Sequence, residues 1–288
     1  MSHAETVHTL QPAAGATDAL VKFTSNLRYD ALPADAKHYA KRHLLDTVGV
    51  MIAGAGGSIA TQAENVLKLV RPAGTVPVTG RSRRADLLDA AFLGGTAAHG
   101  IELDDGYRHG SAHCGCVVIP AVIPMAADRK ASGAQLIEAI VCGYETNIAL
   151  ARACAPDLRH RGFHPTSAVG PFGAAMATGK LRGLNAQQLA NALGLAASSS
   201  AGLFAFVAGG GDVKRLHAGH ASREGMQAAL LAEQGTEGPP NVIEGRDGFM
   251  QAFAFGRIDK ARPITLPPQA DRKSTRLNSS HLGISYAV

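Results

Sequence analysis

Apolar residues recur every three or four positions along nearly the whole chain, broken by short runs rich in glycine, proline and charge, and this period predicts helix after helix. Following Leu32-Pro33, with proline suited to a first helical turn, Leu44, Leu45, Val48 and Ile52 trace one stripe of a helix that ends at Gly54. Residues 56–70, 84–100, 117–133, 134–154, 166–183, 185–202 and 213–235 read the same way. Ile137, Ile140, Val141, Tyr144 and Ile148 form the apolar face of one, and Asn185 is the expected N-cap of another. Strand candidates are confined to 75–79 and 241–243, with no alternation of strand and helix to suggest a doubly wound sheet and no internal repeat. The expected fold class is all-α. Many helix positions that must face neighbours hold Ala, Gly or Ser, as in GAAMA and AGHASREG, so close backbone approach is expected.

The pattern stops at the C-terminus. Residues 271–288 lack apolar periodicity, and from Arg272 onward they read as translated adapter or vector sequence, so they are expected to be a foreign, disordered tail. The expected organisation is a flexible N-terminus over 1–17, one helical domain over 18–270, and that tail.

Composition narrows the class. With 288 residues and 46% hydrophobic content the chain can build a substantial core. A net charge of +5, spread without a basic run or interleaved aromatics, gives no support to nucleic-acid binding and suits a small anionic ligand better. No apolar run is long enough for a bilayer span and the polar start does not resemble a secretion signal, so a cytoplasmic protein without a membrane partner is expected. The four cysteines are too few and too irregular for a disulfide framework and are expected to be reduced.

Three polar islands carry the candidate chemistry. The first, HGIELDDGYRHGSAHCGC over 99–116, holds three acidic residues, three histidines and two cysteines. Glu102, Asp104 and Asp105 favour protonated histidines nearby, which makes His109 and His113 candidate proton donors; the plainer reading is an acidic surface loop that caps a helix. In the second island Pro165 fits the first position of a helix and leaves His164 extended at its positive end, where a carboxylate ligand is attracted; the plainer reading is a capping or packing histidine. Arg159 and Arg161 read as solvated. The third island places Lys214 soon after Gly209-Gly210-Gly211, with His217 one turn on and expected to pack between helices. The glycines lack the spacing of a nucleotide loop. Cys114 and Cys116 with His109 and His113 would make a cramped zinc nest with no second cysteine pair, so neither metal nor cofactor is expected. Cys142 and Cys154 read as small core residues.

Taken together, LLDTVGVMIAGA, AHGIELDDGYRHGSAH, VIPAVIPMA, GYE, RGFHPTSAVGPFGAA, LHAGHA, AALLA and EGRDGF resemble the MmgE/PrpD family, in the family's order, from Asp18 to Phe255. The family includes 2-methylcitrate dehydratase, cis-aconitate decarboxylase and an iminodisuccinate epimerase. The resemblance implies a helical domain that in longer members is followed by an α/β lid, absent from this chain, and a homodimer formed through the helices. It implies His113 and His164 as catalytic histidines, Lys214 as a substrate-binding lysine, Glu102, Asp104 and Asp105 as acidic groups that orient and tune the histidines, and Tyr107 and His109 near substrate. Tyr107 stands where a histidine is common in the family, and Cys114 where a proline follows the catalytic histidine. The implied function is a cofactor-independent lyase acting on a small di- or tricarboxylate, of the hydro-lyase or decarboxylase kind and inactive without the lid. An epimerase, or a catalytically silent helical binding module, stays open as the alternative.

Overall fold

The computed structural model describes residues 15–254; 1–14 and 255–288, including the expected foreign tail, lie outside the described residues. The helices in chain order are α1 Ala16–Asn26, α2 Ala34–Ala55, α3 Ser58–Val70, α4 Leu87–Ala98, α5 Gly115–Arg129, α6 Gly133–Cys154, α7 Asp157–His160, α8 Pro165–Arg182, α9 Ala186–Ser198, α10 Phe206–Gly209, α11 Val213–Glu233 and α12 Phe249–Phe253. One small antiparallel hairpin, β1 Val76–Pro77 with β2 Arg84–Ala85, joins α3 to α4. The all-α reading holds. The strand candidate at 75–79 contains β1, whereas 241–243 forms turns whose Asn241 carbonyl accepts from Gly245. Helix α1 begins inside the stretch expected to be flexible.

Local signals explain several boundaries. Asn185 caps α9 by accepting from the Gln188 backbone while the Gln188 side chain accepts from Asn185, and Ser132 with Gln135 does the same at α6. Gly183, in the left-handed region, closes α8.

Helix α8 runs through the middle, packed against α6, α11 and α5, and nearly all its side chains are buried. Its small residues let the neighbours close in, while Phe172, Met176, Met125, Ile148 and Tyr144 fill the spaces between them. Each such buried side chain contributes about 1.5–3 kcal/mol. A close crossing lies between α11 and α4: a Cβ on Gly219 would come within 2.3 Å of Thr96 Oγ1 and 2.5 Å of the Phe92 carbonyl oxygen. Only glycine permits that approach, and it brings the start of α11 beside the end of α4.

Helix α2 departs from its apolar stripe. Leu45 and Ile52 are 76% and 56% exposed, while the buried side carries Ala36, Ala40, His43, Thr47, Val50 and Met51. The core contact here selects a mixed face because it contains a buried carboxylate that needs polar partners. Among the described residues no single helix is long and apolar enough to cross a membrane.

Candidate active site

The end of α4, the loop over 100–114, the start of α8 and the first turns of α11 meet at one place. His99 is the C-cap residue of α4, His164 the N-cap residue of α8, and Lys214 and His217 lie on α11. The loop between them is pinned by an isolated bridge between Tyr107 and Ala112, and His113 is tied to α8 by its backbone N–H, which donates to Thr166 Oγ1 at 3.0 Å.

Asp104 is the hub. Its fully buried carboxylate faces His99 Nδ1 at 2.7 Å and His113 Nδ1 at 3.3 Å through the same oxygen. His113 Nδ1 also lies 2.8 Å from the Asp105 carbonyl oxygen, which can only accept, so Nδ1 of His113 carries a proton and Nε2 is the nitrogen left for chemistry. Burial alone would lower the His113 pKa, but the hydrogen bond and charge of Asp104, aided by Asp105, outweigh it and raise it. Burial opposes ionisation of Asp104 too, and the charges and hydrogen bonds of His99 and His113 win, holding its carboxyl below the usual range.

Asp105 faces the other way. Its carboxylate accepts from the Gly115 N–H at 2.8 Å and the Tyr144 hydroxyl at 2.8 Å, and pairs with His43 Nδ1 at 2.9 Å. These partners overcome desolvation and lower its pKa. The Gly115 N–H belongs to the first turn of α5, a positive helix end that favours a carboxylate. A Cβ on Gly115 would stand 2.6 Å from Thr47 Oγ1, 2.7 Å from the Tyr144 hydroxyl and 2.8 Å from Asp105 Oδ1. The side chain of Asp105 thus anchors the loop, while its carbonyl orients His113.

His164 is 2% exposed, with its ring stacked near His99 at 5.8 Å and its Nδ1 3.1 Å from His217 Nδ1. Burial, followed by the neighbouring charges of His99, His217, His113 and Lys214, pushes its pKa down to about 2, so this imidazole is neutral. Lys214 is ion-paired with Glu102, whose backbone is in the left-handed region at φ 58°. The lysine side chain is 21% exposed and that of His113 31%, and through these two the cluster opens to the surface.

His113, His164, Lys214, Glu102 and Asp104 therefore come together, as the islands suggested. Three other candidates do not join them, the first being the Asp105 carboxylate, which turns to His43, Gly115 and Tyr144. Tyr107 is buried against α6, where its hydroxyl bonds Arg152, and His109 is exposed beside the Tyr107 ring. Their places follow from the Tyr107–Ala112 bridge, which turns the tyrosine into the core and lifts His109 outward. All four cysteines are buried thiols, and desolvation raises their pKa values, those of Cys142 and Cys154 to about 12. Arg159 lies over the Phe204 ring at 4.5 Å and, with Arg161, borders a shallow cavity of about 470 Å³ beside the second island.

The sequence reading assigned no role to His99 or His43, placed Tyr144 on an apolar helix face, and read His217 as packing. The available signal was polar spacing: His43 and Thr47 lie one turn apart on α2, and His99 opens the first island. Among the described residues His99, Asp104 and His113 also have metal-ligand types within 4.8 Å of one another. Both ring Nδ1 atoms face one carboxylate oxygen at hydrogen-bond distance, which N–H protons satisfy. The buried Nε2 of His99 has no acceptor of the kind that usually supports a ligating histidine.

A helical domain holding a buried aspartate between two histidines, with a third histidine and a lysine at the mouth, has the outline of an acid–base site for an anionic ligand. The MmgE/PrpD N-terminal domain family matches residues 18–260, and the chain belongs to that family. Cis-aconitate decarboxylase from Aspergillus terreus is 30% identical over 249 residues, covering 84% of this chain and 51% of the fungal protein. The cis-aconitate decarboxylase-like protein oryM of Aspergillus oryzae is 32% identical, covering 87% of this chain and 54% of its own length. Human cis-aconitate decarboxylase is 32% identical over 75% of this chain and 45% of the human protein. The chain spans about half the length of the curated relatives it matches.

Proposed function

We propose that this chain is the helical half of a cofactor-independent lyase for a small di- or tricarboxylate, with decarboxylation of a cis-aconitate-like acid as the leading reaction. The observation that carries the reading is the Asp104-centred pair of histidines beside Lys214 and a neutral His164. Loss of carbon dioxide breaks a C–C bond and leaves its electron pair on the remaining carbon skeleton, which must then take up one proton. His113, whose proton affinity Asp104 raises, is suited to supply that proton from Nε2. Lys214 exchanges Glu102 for a substrate carboxylate, a swap between two anions that keeps the ammonium paired throughout. The names of the relatives support decarboxylation over the dehydratase and epimerase alternatives.

The test is calorimetric binding of cis-aconitate, 2-methylcitrate and citrate to the chain, together with turnover assays on the chain and on a version extended to the length of the relatives. The expected result is binding that Lys214→Ala weakens, with carbon dioxide release from cis-aconitate only in the extended protein. Failure of every di- and tricarboxylate to bind either protein would overturn the proposal. Binding without turnover in the extended protein would identify a binding module instead.

A further inference from the structure

His113 and His164 differ in how their protons are fixed. A carbonyl oxygen decides the His113 tautomer, because it can accept and never donate. The Nδ1 of His164 faces another imidazole Nδ1 at 3.1 Å, and a contact between two ring nitrogens at that distance needs one proton in it. We propose that His217 is a positioning residue that donates its Nδ1–H to His164 Nδ1, locking His164 in the tautomer whose Nε2–H points at the ligand.

Several observations converge on this arrangement. His217 sits one turn after Lys214 on α11, so one helix delivers both the carboxylate clamp and the partner of the second histidine. The crossing at Gly219 fixes that helix against α4 immediately beyond His217. The His164 backbone is pinned separately, its N–H donating to the Gly202 carbonyl at 2.9 Å, and its buried ring is packed among His99, Phe204 and Phe206. His164 also stands at the N-terminus of α8, and a helix N-terminus keeps a nearby imidazole neutral, the form in which it acts as a hydrogen-bond donor to an anionic oxygen. The groups facing this pair are His99, His113 and Lys214 around His164, and His99 and His220 around His217. Burial draws the His217 pKa down to about 4, so the contact is between two neutral rings near neutral pH. The donor direction rests on the anionic-ligand reading above, because an anion at Nε2 requires a proton there.

The experiment is long-range proton–nitrogen correlation NMR on histidine-labelled protein at neutral pH, which reports the tautomer of each ring without any turnover. Wild type is expected to show His164 as the Nε2–H form alone. His217→Asn, whose side-chain amide can donate at the place of Nδ1, should keep that form, whereas His217→Phe should give a mixture and weaken cis-aconitate binding roughly tenfold, the loss of one hydrogen bond. An Nδ1–H form in wild type overturns the proposal, as does an unchanged Nε2–H form in the Phe variant. If the Phe variant does not fold, a mixture in His217→Asn has the same force. A locked Nε2–H tautomer in a protein that binds no carboxylate would sink the functional reading and leave the role of His217 standing.

Discussion

Asp104→Asn is the sharpest perturbation of this site, because it removes one charge and changes almost no volume. The carboxylate lies 3.3 Å from His113 Nδ1, and Coulomb's law at an effective dielectric of about 20 gives about 5 kcal/mol for an imidazolium at that distance. The His113 side chain is 31% exposed, so solvent screens a large part, and what remains is the attraction that raises the His113 pKa. Burial then acts on His113 with less opposition, and its pKa should fall from its raised value. The sign for stability follows. A raised pKa in the folded state contributes stability that is full below 6.5 and is lost as pH rises through the folded value, so the variant should lose most on the acid side of neutrality. The fully buried His99 keeps only a neutral acceptor, and an amide turned toward the unpartnered Asp104 Oδ1 position finds none. Breaking a buried pair costs about 3 kcal/mol at the lower end of the usual range. Proton NMR titration of the His113 ring and urea unfolding at mildly acid and mildly alkaline pH measure both effects. A His113 pKa that moves by less than about half a unit would refute the claim that Asp104 holds its proton.

Other outcomes follow from the same geometry. Lowering the pH from 7 to 5 should destabilise the fold by at least about 2 kcal/mol: His164 and His217 are depressed to about 2 and about 4 from 6.5, so each unfolded ring binds a proton that the folded one refuses, and the raised His113 offsets only part. Flat urea midpoints across that window would contradict it. Gly115→Ala should cost about 1–3 kcal/mol in chemical denaturation, because its methyl would meet Thr47, Tyr144 and Asp105 at under 3 Å, and a wild-type midpoint would show that the Asp105 anchor is loose. Lys214→Ala should weaken calorimetric binding of cis-aconitate roughly 10- to 100-fold, the worth of a charge-assisted hydrogen bond, and should do so less at high salt; unchanged affinity would place the carboxylate elsewhere.

What the sequence determined by itself was whatever depends on near neighbours. The helical period, the Asn185 cap and the Pro165 start are set within a few residues, and the long helices α2 to α6, α8, α9 and α11 form where that pattern places them, whereas α1, α7, α10 and α12 were not read from it. The islands were legible for a related reason, since charge and imidazole crowded between apolar segments have no role in a plain core. Tertiary structure decided which member of each island does what. Asp104 and Asp105 are adjacent and chemically identical, yet one binds His99 and His113 while the other turns to His43, Gly115 and Tyr144, because only packing says what lies on each side of the loop. Helix α2 buries His43 and Thr47 and exposes Leu45 and Ile52 for the same reason: a buried carboxylate from a distant loop needs donors more than it needs leucine. The His164–His217 contact joins residues 53 positions apart, one at the start of α8 and the other on α11, and no local pattern encodes a distance across the core.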